Sequence, residues 1–191
     1  MILTNGQTIA VRAYASEEIL NSFVKFGSGS ILGIPIPAYV FIVIALLLSF
    51  ILKKTVFGRN IYFIGSNPDA AAMSGINVPK VKFIAYIITG MLGGLAGAML
   101  AGRLVSMPTN GGNGYEFEGI FASVLGGISM VGGEGGMLGA VVGAIIVACI
   151  RNGLNLNGID AFWQQVILGI IIVIAVFYDT VRTKKARNAK S

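Results

Sequence analysis

The sequence predicts an all-α, polytopic membrane protein with about five transmembrane helices, one of them short or broken. Three observations carry this. Hydrophobic residues make up 55% of the 191 positions and charged residues 12%, about half the charged share of a soluble domain. So few ionic groups do not cover a water-facing surface, and the mean hydropathy of +0.81 agrees. Glycine occurs 27 times, as expected of helices that approach closely in lipid. The apolar residues gather into five runs separated by polar, basic or glycine-rich stretches.

Residues 1–30 read as a segment outside the membrane with one short interfacial helix. Ser16 is the candidate N-cap, Glu17 and Glu18 favour the first turn, and Gly27 lies where the helix should end. Ile19, Leu20, Phe23 and Val24 form an apolar face. A helix resting on the membrane surface is the plain reading, and a docking element for a substrate-carrying protein is the sharper one.

Residues 31–181 read as the membrane domain. The apolar runs cover about 36–52, 83–104, 120–131, 137–150 and 162–178. Crossing a hydrocarbon core of ~30 Å takes roughly 20 helical residues, with about 17 near the lower limit. The first, second and fifth runs meet this, and the third and fourth are short. The third run is either a short span or a broken, re-entrant helix lining a cavity, because irregular backbone at membrane depth needs protein or water around it.

The basic residues orient the chain. If the first run leads inward, a loop at 53–82 carries Lys53, Lys54, Arg59, Lys80 and Lys82 to the cytoplasm. The tail at 182–191 adds Arg182, Lys184, Lys185, Arg187 and Lys190, so ten of the fourteen basic residues lie inside. Arg12, Lys25, Arg103 and Arg151 fall outside, as do Glu17, Glu18, Glu116, Glu118 and Asp160. The outer start has no signal-peptide core, since Met1–Leu3 is too short. This predicts spans upstream, the chain being the C-terminal part of a longer protein.

Several chemistries find no support. The net charge of +6 comes from residues flanking apolar runs rather than from one stripe, which argues against nucleic acid. With no histidine and the single Cys149 in an apolar run, neither a zinc site nor a disulfide framework is expected. No nucleophile has a partnered base, so no catalytic residue, cofactor or metal is assigned. The glycine clusters at 111–114 and 132–136 do not continue as phosphate loops.

Small residues at four-residue spacing mark candidate packing faces: Gly90 and Gly94 in the second run, and Gly135, Gly139 and Gly143 toward the fourth. Packing within one subunit is preferred over a homodimer face. Glu134, between glycines, is either a solvated loop acid or part of a cytoplasmic gate, since a carboxylate in lipid is costly. Asn155, Asn157, Gln164 and Gln165 are able to bind sugar hydroxyls or to satisfy helix ends, so the substrate-binding residues stay unknown. Trp163, Tyr115 and Tyr178 suit the interfacial aromatic belt, and the basic tail suits anionic lipid.

The most informative stretch lies in the 53–82 loop. Asn67 is a candidate N-cap, Pro68 fits the first helical position, and Asp69 complements the positive helix end. Ala70, Ala71 and Ala72 propagate a helix; Met73 and Ser74 follow; Gly75 is suited to end it, before Ile76 and Pro79. A compact helix between two spans either transmits motion from a soluble partner or is a simple interhelical connection.

The run from Gly58 to Tyr62, Gly65–Ala71 and Ser74–Ile76 resembles the cytoplasmic coupling region of ribose-type ABC importer permeases, within the branched-chain amino acid and sugar permease family. The resemblance continues through Gly126–Ser129, Gly132–Gly136, Gly139–Ala140 and Asn152–Gly158, and covers essentially the whole chain, including Leu3–Gly6. It implies a roughly ten-span permease that dimerises and works with two ABC ATPase subunits and an extracytoplasmic sugar-binding protein. It also implies that Asn67–Ile76 inserts into the ATPase as the coupling helix. The chain is shorter than the family pattern. A permease for branched-chain amino acids and a non-transporting, truncated membrane scaffold are the competing readings.

Overall fold

The structure, a computed structural model, describes residues 9–10, 16–107 and 111–188. Eight helices dominate the described residues: α1 (Glu17–Ser28), α2 (Ile36–Lys54), α3 (Val56–Ser66), α4 (Pro68–Met73), α5 (Val78–Leu104), α6 (Tyr115–Leu125), α7 (Met137–Leu156) and α8 (Ala161–Asn188). The strands are two-residue pieces. β1 (Ile9–Ala10) pairs antiparallel with β4 (Ser106–Met107), and β2 (Ser30–Ile31) with β3 (Ile34–Pro35). The protein is an all-α, multi-pass membrane protein. By length and composition α2, α5 and α7 are able to cross a membrane, and α8 carries a shorter apolar stretch, Phe162–Phe177. The expectations at Leu3–Gly6 and Arg12, and for the side chains of Tyr178 and the basic tail, lie outside the described residues.

The helices group into two compact units, the first being the chain up to Leu47 with Pro79–Asn113. There the β2–β3 hairpin turns on Leu32 and Gly33, both with positive φ, and the Tyr39 hydroxyl donates to the Ile31 carbonyl at 3.1 Å. α2 begins at once and buries none of its residues; Phe41, Leu46 and Phe50 are exposed around it. A helix apolar on every side has lipid or further helices as its surroundings.

α1 differs from its sequence expectation at both ends. Ser16 occupies the N-cap but its hydroxyl makes no capping bond; its carbonyl accepts the Leu20 amide instead. Gly27 lies within the helix rather than past it. A Cβ there would lie 2.7 Å from the Met99 carbonyl oxygen, and one on Gly102 would lie 2.6 Å from that of Phe23. Gly27 is therefore where α1 crosses α5 backbone to backbone. Gly90 and Gly94 stand otherwise: nothing lies within 4 Å of their Cβ positions.

The second unit comprises Leu48–Val78 with the chain from Gly114 onward. α6 and α7 run antiparallel in close contact. Gly126 faces Gly139, Ala122 faces Gly143, and Glu118 is paired with Arg151. A side chain at Gly143 would meet the Ala122 carbonyl, and one at Gly139 that of Gly126. Val147 of α7 and Leu168 of α8 are buried, in one cleft with Phe121 and Leu125.

The third and fourth apolar runs change length. α6 has 11 residues, about 16 Å at 1.5 Å per residue, and does not cross ~30 Å of hydrocarbon as a helix. It ends because Gly127 takes φ +81, with Gly127 donating to Val124 and Ile128 to Ser123, the closing pair of a Schellman motif. α7 instead continues past Ile150 to Leu156, and Arg151 in its added turn is paired with Glu118. Gly135 is not part of α7. It sits in the preceding loop with φ +127, and a Cβ there would lie 2.8 Å from the Ile128 Cα.

Candidate functional site

The 53–82 segment is more structured than its sequence predicts. α2 hands over to α3 through Thr55, whose hydroxyl donates to the Ile51 carbonyl at 2.7 Å and accepts the Gly58 amide at 3.2 Å. That second bond is an N-cap. α3 is the element that sequence reasoning missed. Thr55 ahead of Val56, Phe57, Ile61 and Ile64 is its signal, masked by Gly58 and Gly65. Both glycines are contact points: a Cβ on Gly58 would lie 2.5 Å from the Ile51 carbonyl oxygen.

α4 follows with the caps its sequence predicts. The Asn67 Oδ1 accepts the amides of Asp69 and Ala70, both at 3.0 Å, and Pro68 is the first helical residue. The last turn closes as a Schellman motif: Gly75 donates to Ala72 at 3.0 Å and Ile76 to Ala71 at 3.1 Å, with Gly75 at φ +82. A positive φ at that position is the conformation glycine adopts without strain. Ile64 of α3 and Ala71 of α4 are buried, Ala71 completely. Asp69, Met73 and Ser74 are exposed, Met73 at 91%. α4 thus presents a small, rigidly capped outer face with one acid and one long apolar side chain.

The glycine-rich loop before α7 belongs to the same site. It folds on itself, the Ser129 amide donating to the Glu134 carbonyl at 3.1 Å and Gly132 to Ser129 at 3.2 Å. Its outer edge lies on α3. The Tyr62 hydroxyl donates to the Gly135 carbonyl at 3.0 Å. A Cβ on Gly65 would lie 2.5 Å from the Gly133 nitrogen, and one on Gly132 would lie 2.6 Å from the Gly65 carbonyl oxygen. Glu134 is exposed at the rim of this contact. Asn67–Ile76 and Glu134, far apart in sequence, therefore share one end of the unit, with Gly136 at the N-cap of α7.

The opposite ends of α6, α7 and α8 hold a polar cluster. Arg151 forms an ion pair with Glu118, both partly buried. Gln164, only 4% exposed, donates from Nε2 to the Asn155 Oδ1 at 2.7 Å and the Ile159 carbonyl at 2.8 Å. Asn157 donates to the Gly153 carbonyl at 2.8 Å. Gln164 and Asn157 thus satisfy backbone carbonyls at the connection between α7 and α8. Among the described residues no three His, Cys, Asp or Glu side chains cluster as metal ligands.

Comparison with known proteins gives this geometry its context. Residues 2–176 match the family described as branched-chain amino acid transport system / permease component. The chain is 46% identical over 157 residues to the ribose import permease protein RbsC of Bacillus subtilis (strain 168), covering 82% of this chain and 49% of that protein. It is 39% identical over 170 residues to the probable ABC transporter permease protein YphD of Escherichia coli (strain K12), covering 89% and 51%. It is 43% identical over 153 residues to the xylose transport system permease protein XylH of Haemophilus influenzae, covering 80% and 41%. The chain spans about half the length of the curated relatives it matches. No solved structure matches it. The chain belongs to the family of branched-chain amino acid transport system permease components.

Proposed function

We propose that this chain is part of the membrane-spanning permease of an ATP-driven importer for a monosaccharide such as ribose, in a bacterial cell membrane. The observation that carries the reading is α4, a six-residue helix capped at both ends and exposed on its outer face. A helix this short has little stability of its own, so its two caps and the α3 contact keep it in one shape. Such a shape suits a groove on a soluble partner. The substrate class comes from the relatives, two of which are ribose and xylose permeases by name.

In this reading α4 and Glu134 face the cytoplasm, together with the basic residues of the 53–82 segment and the C-terminal tail. The contact of α3 with the Gly132–Gly136 loop supports placing Glu134 on the same side as the 53–82 segment. The Glu118–Arg151 pair agrees in turn, both residues being assigned outside. ATP hydrolysis resides on a separate ATPase chain that grips α4, and differential contacts in its two states shift the permease between outward and inward access. An extracytoplasmic sugar-binding protein and a second permease copy complete the assembly.

The test is co-purification with the ATPase encoded beside this chain. Binding is expected for the native chain and lost in Asn67→Ala combined with Asp69→Lys. Unchanged binding in that variant refutes the assignment of α4. Retained binding without uptake of any substrate favours the scaffold reading. The family description favours a second substrate, branched-chain amino acids. Uptake of labelled ribose and xylose, but not leucine, by cells carrying the complete transporter decides between the two.

A further inference from the structure

We infer that motion imposed on α4 is delivered to α7 through a backbone clamp built by Tyr62, Gly65 and Gly133. The inference rests on the proposed coupling role of α4. Chain connectivity alone does not link α4 to α7, but packing does. Leu48–Val78 folds into one compact unit with α6, α7 and α8.

Within that unit the contact is unusually direct. The loop glycines lie against α3 backbone to backbone: Cβ atoms on Gly132 and Gly133 would lie 2.6 Å from the Gly65 carbonyl oxygen and 2.9 Å from the Ser66 Cα. Contacts between backbones have no rotamers to absorb a displacement, unlike contacts between long side chains. Ser66 is the last residue of α3 and adjoins the Asn67 cap of α4. At the far end, Gly135 accepts the Tyr62 hydroxyl one residue before the α7 N-cap. The loop is closed internally by the Ser129–Glu134 bond. A push on α4 therefore passes through Ser66 and Gly65 to Gly133, and from Gly135 into the first turn of α7. Tyr62, Gly65 and Gly133 are positioning residues in this scheme, since none needs to touch the ATPase or the substrate.

The test uses the chain assembled with its ATPase in nanodiscs, with Cys149→Ser to remove the native thiol. Spin labels at Met73→Cys and Leu138→Cys, both exposed positions, report the distance from α4 to α7. The expected result is one narrow distance, unchanged by ATP. Gly65→Val, whose side chain must displace Gly133, broadens that distance. Tyr62→Phe, which keeps the ring and removes the hydroxyl, does so to a smaller degree and serves if Gly65→Val does not fold. Both variants should keep ATPase binding and ATP hydrolysis in nanodiscs yet lose ribose uptake in cells carrying the complete transporter, a separation that a merely structural role would not produce. A broad α4–α7 distance in the otherwise native chain overturns the inference, as does a distance that shifts with ATP. A narrow distance in a chain that retains no ATPase refutes the coupling role of α4 and, with it, delivery through the clamp.

Discussion

Replacing Asn67 by alanine and Gly75 by alanine attacks the two ends of α4, and the structure gives the size of the effect. Asn67→Ala removes an oxygen that accepts two amides at 3.0 Å, at a cost of about 1 kcal/mol for an N-cap of this kind. Gly75→Ala places a Cβ on a residue with φ +82, costing about 1 kcal/mol more for a left-handed alanine. Nothing lies within 4 Å of that Cβ position, so the second cost is conformational and not steric. Together the changes weaken α4 by about 2 kcal/mol, roughly a thirtyfold shift in its local folding equilibrium. Hydrogen exchange read on the peptide covering residues 66–78 is the assay. Asn67→Ala should speed exchange about fivefold and the double variant about thirtyfold, with peptides from α2 and α7 unaffected. Asn67→Asp should stay near the native rate. Equal protection in native chain and double variant would refute the claim that the caps hold this helix.

Two further predictions follow from the packing. Gly143→Val drives a side chain into the Ala122 carbonyl and should lower stability by about 1–3 kcal/mol. Gly90→Val, on an open face, should change the stability of this chain by less than about 0.5 kcal/mol; thermal unfolding in detergent compares them. Glu118→Gln leaves Arg151 partly buried without its charge partner, and about 1–3 kcal/mol should be lost. The swap Glu118→Arg with Arg151→Glu should recover part of it in a double-mutant cycle.

The contrast between Gly90 and Gly143 marks where sequence reading runs out. Both lie in small-residue patterns with the same spacing, which declare that a helix is approachable but not what approaches it. Gly135 continues the Gly139–Gly143 spacing, yet its φ of +127 puts it in a loop, because four-residue spacing alone does not tell a helix from the turn before it. Arg151 reads as the end of a span until its partner, 33 residues away, is known. α4 was legible because its signals are local: an N-cap, a proline at the first position and a terminating glycine. α3 was hidden because Gly58 and Gly65 look like loop residues while serving contacts with Ile51 and Gly133. The apolar run of α2 was legible because lipid compatibility is a property of composition, which needs no partner to be named. The clamp between α3 and the glycine loop joins segments about 70 residues apart, and no local pattern announces such a meeting.

The most direct test of the account is the side of the membrane that α4 faces. With Cys149→Ser as background, Ser74→Cys places one thiol at the exposed C-cap of α4. A membrane-impermeant maleimide should leave it unlabelled in intact cells and label it in inside-out vesicles. Labelling in intact cells, and none in inside-out vesicles, would put α4 on the wrong side for any ATP-driven partner and contradict the account.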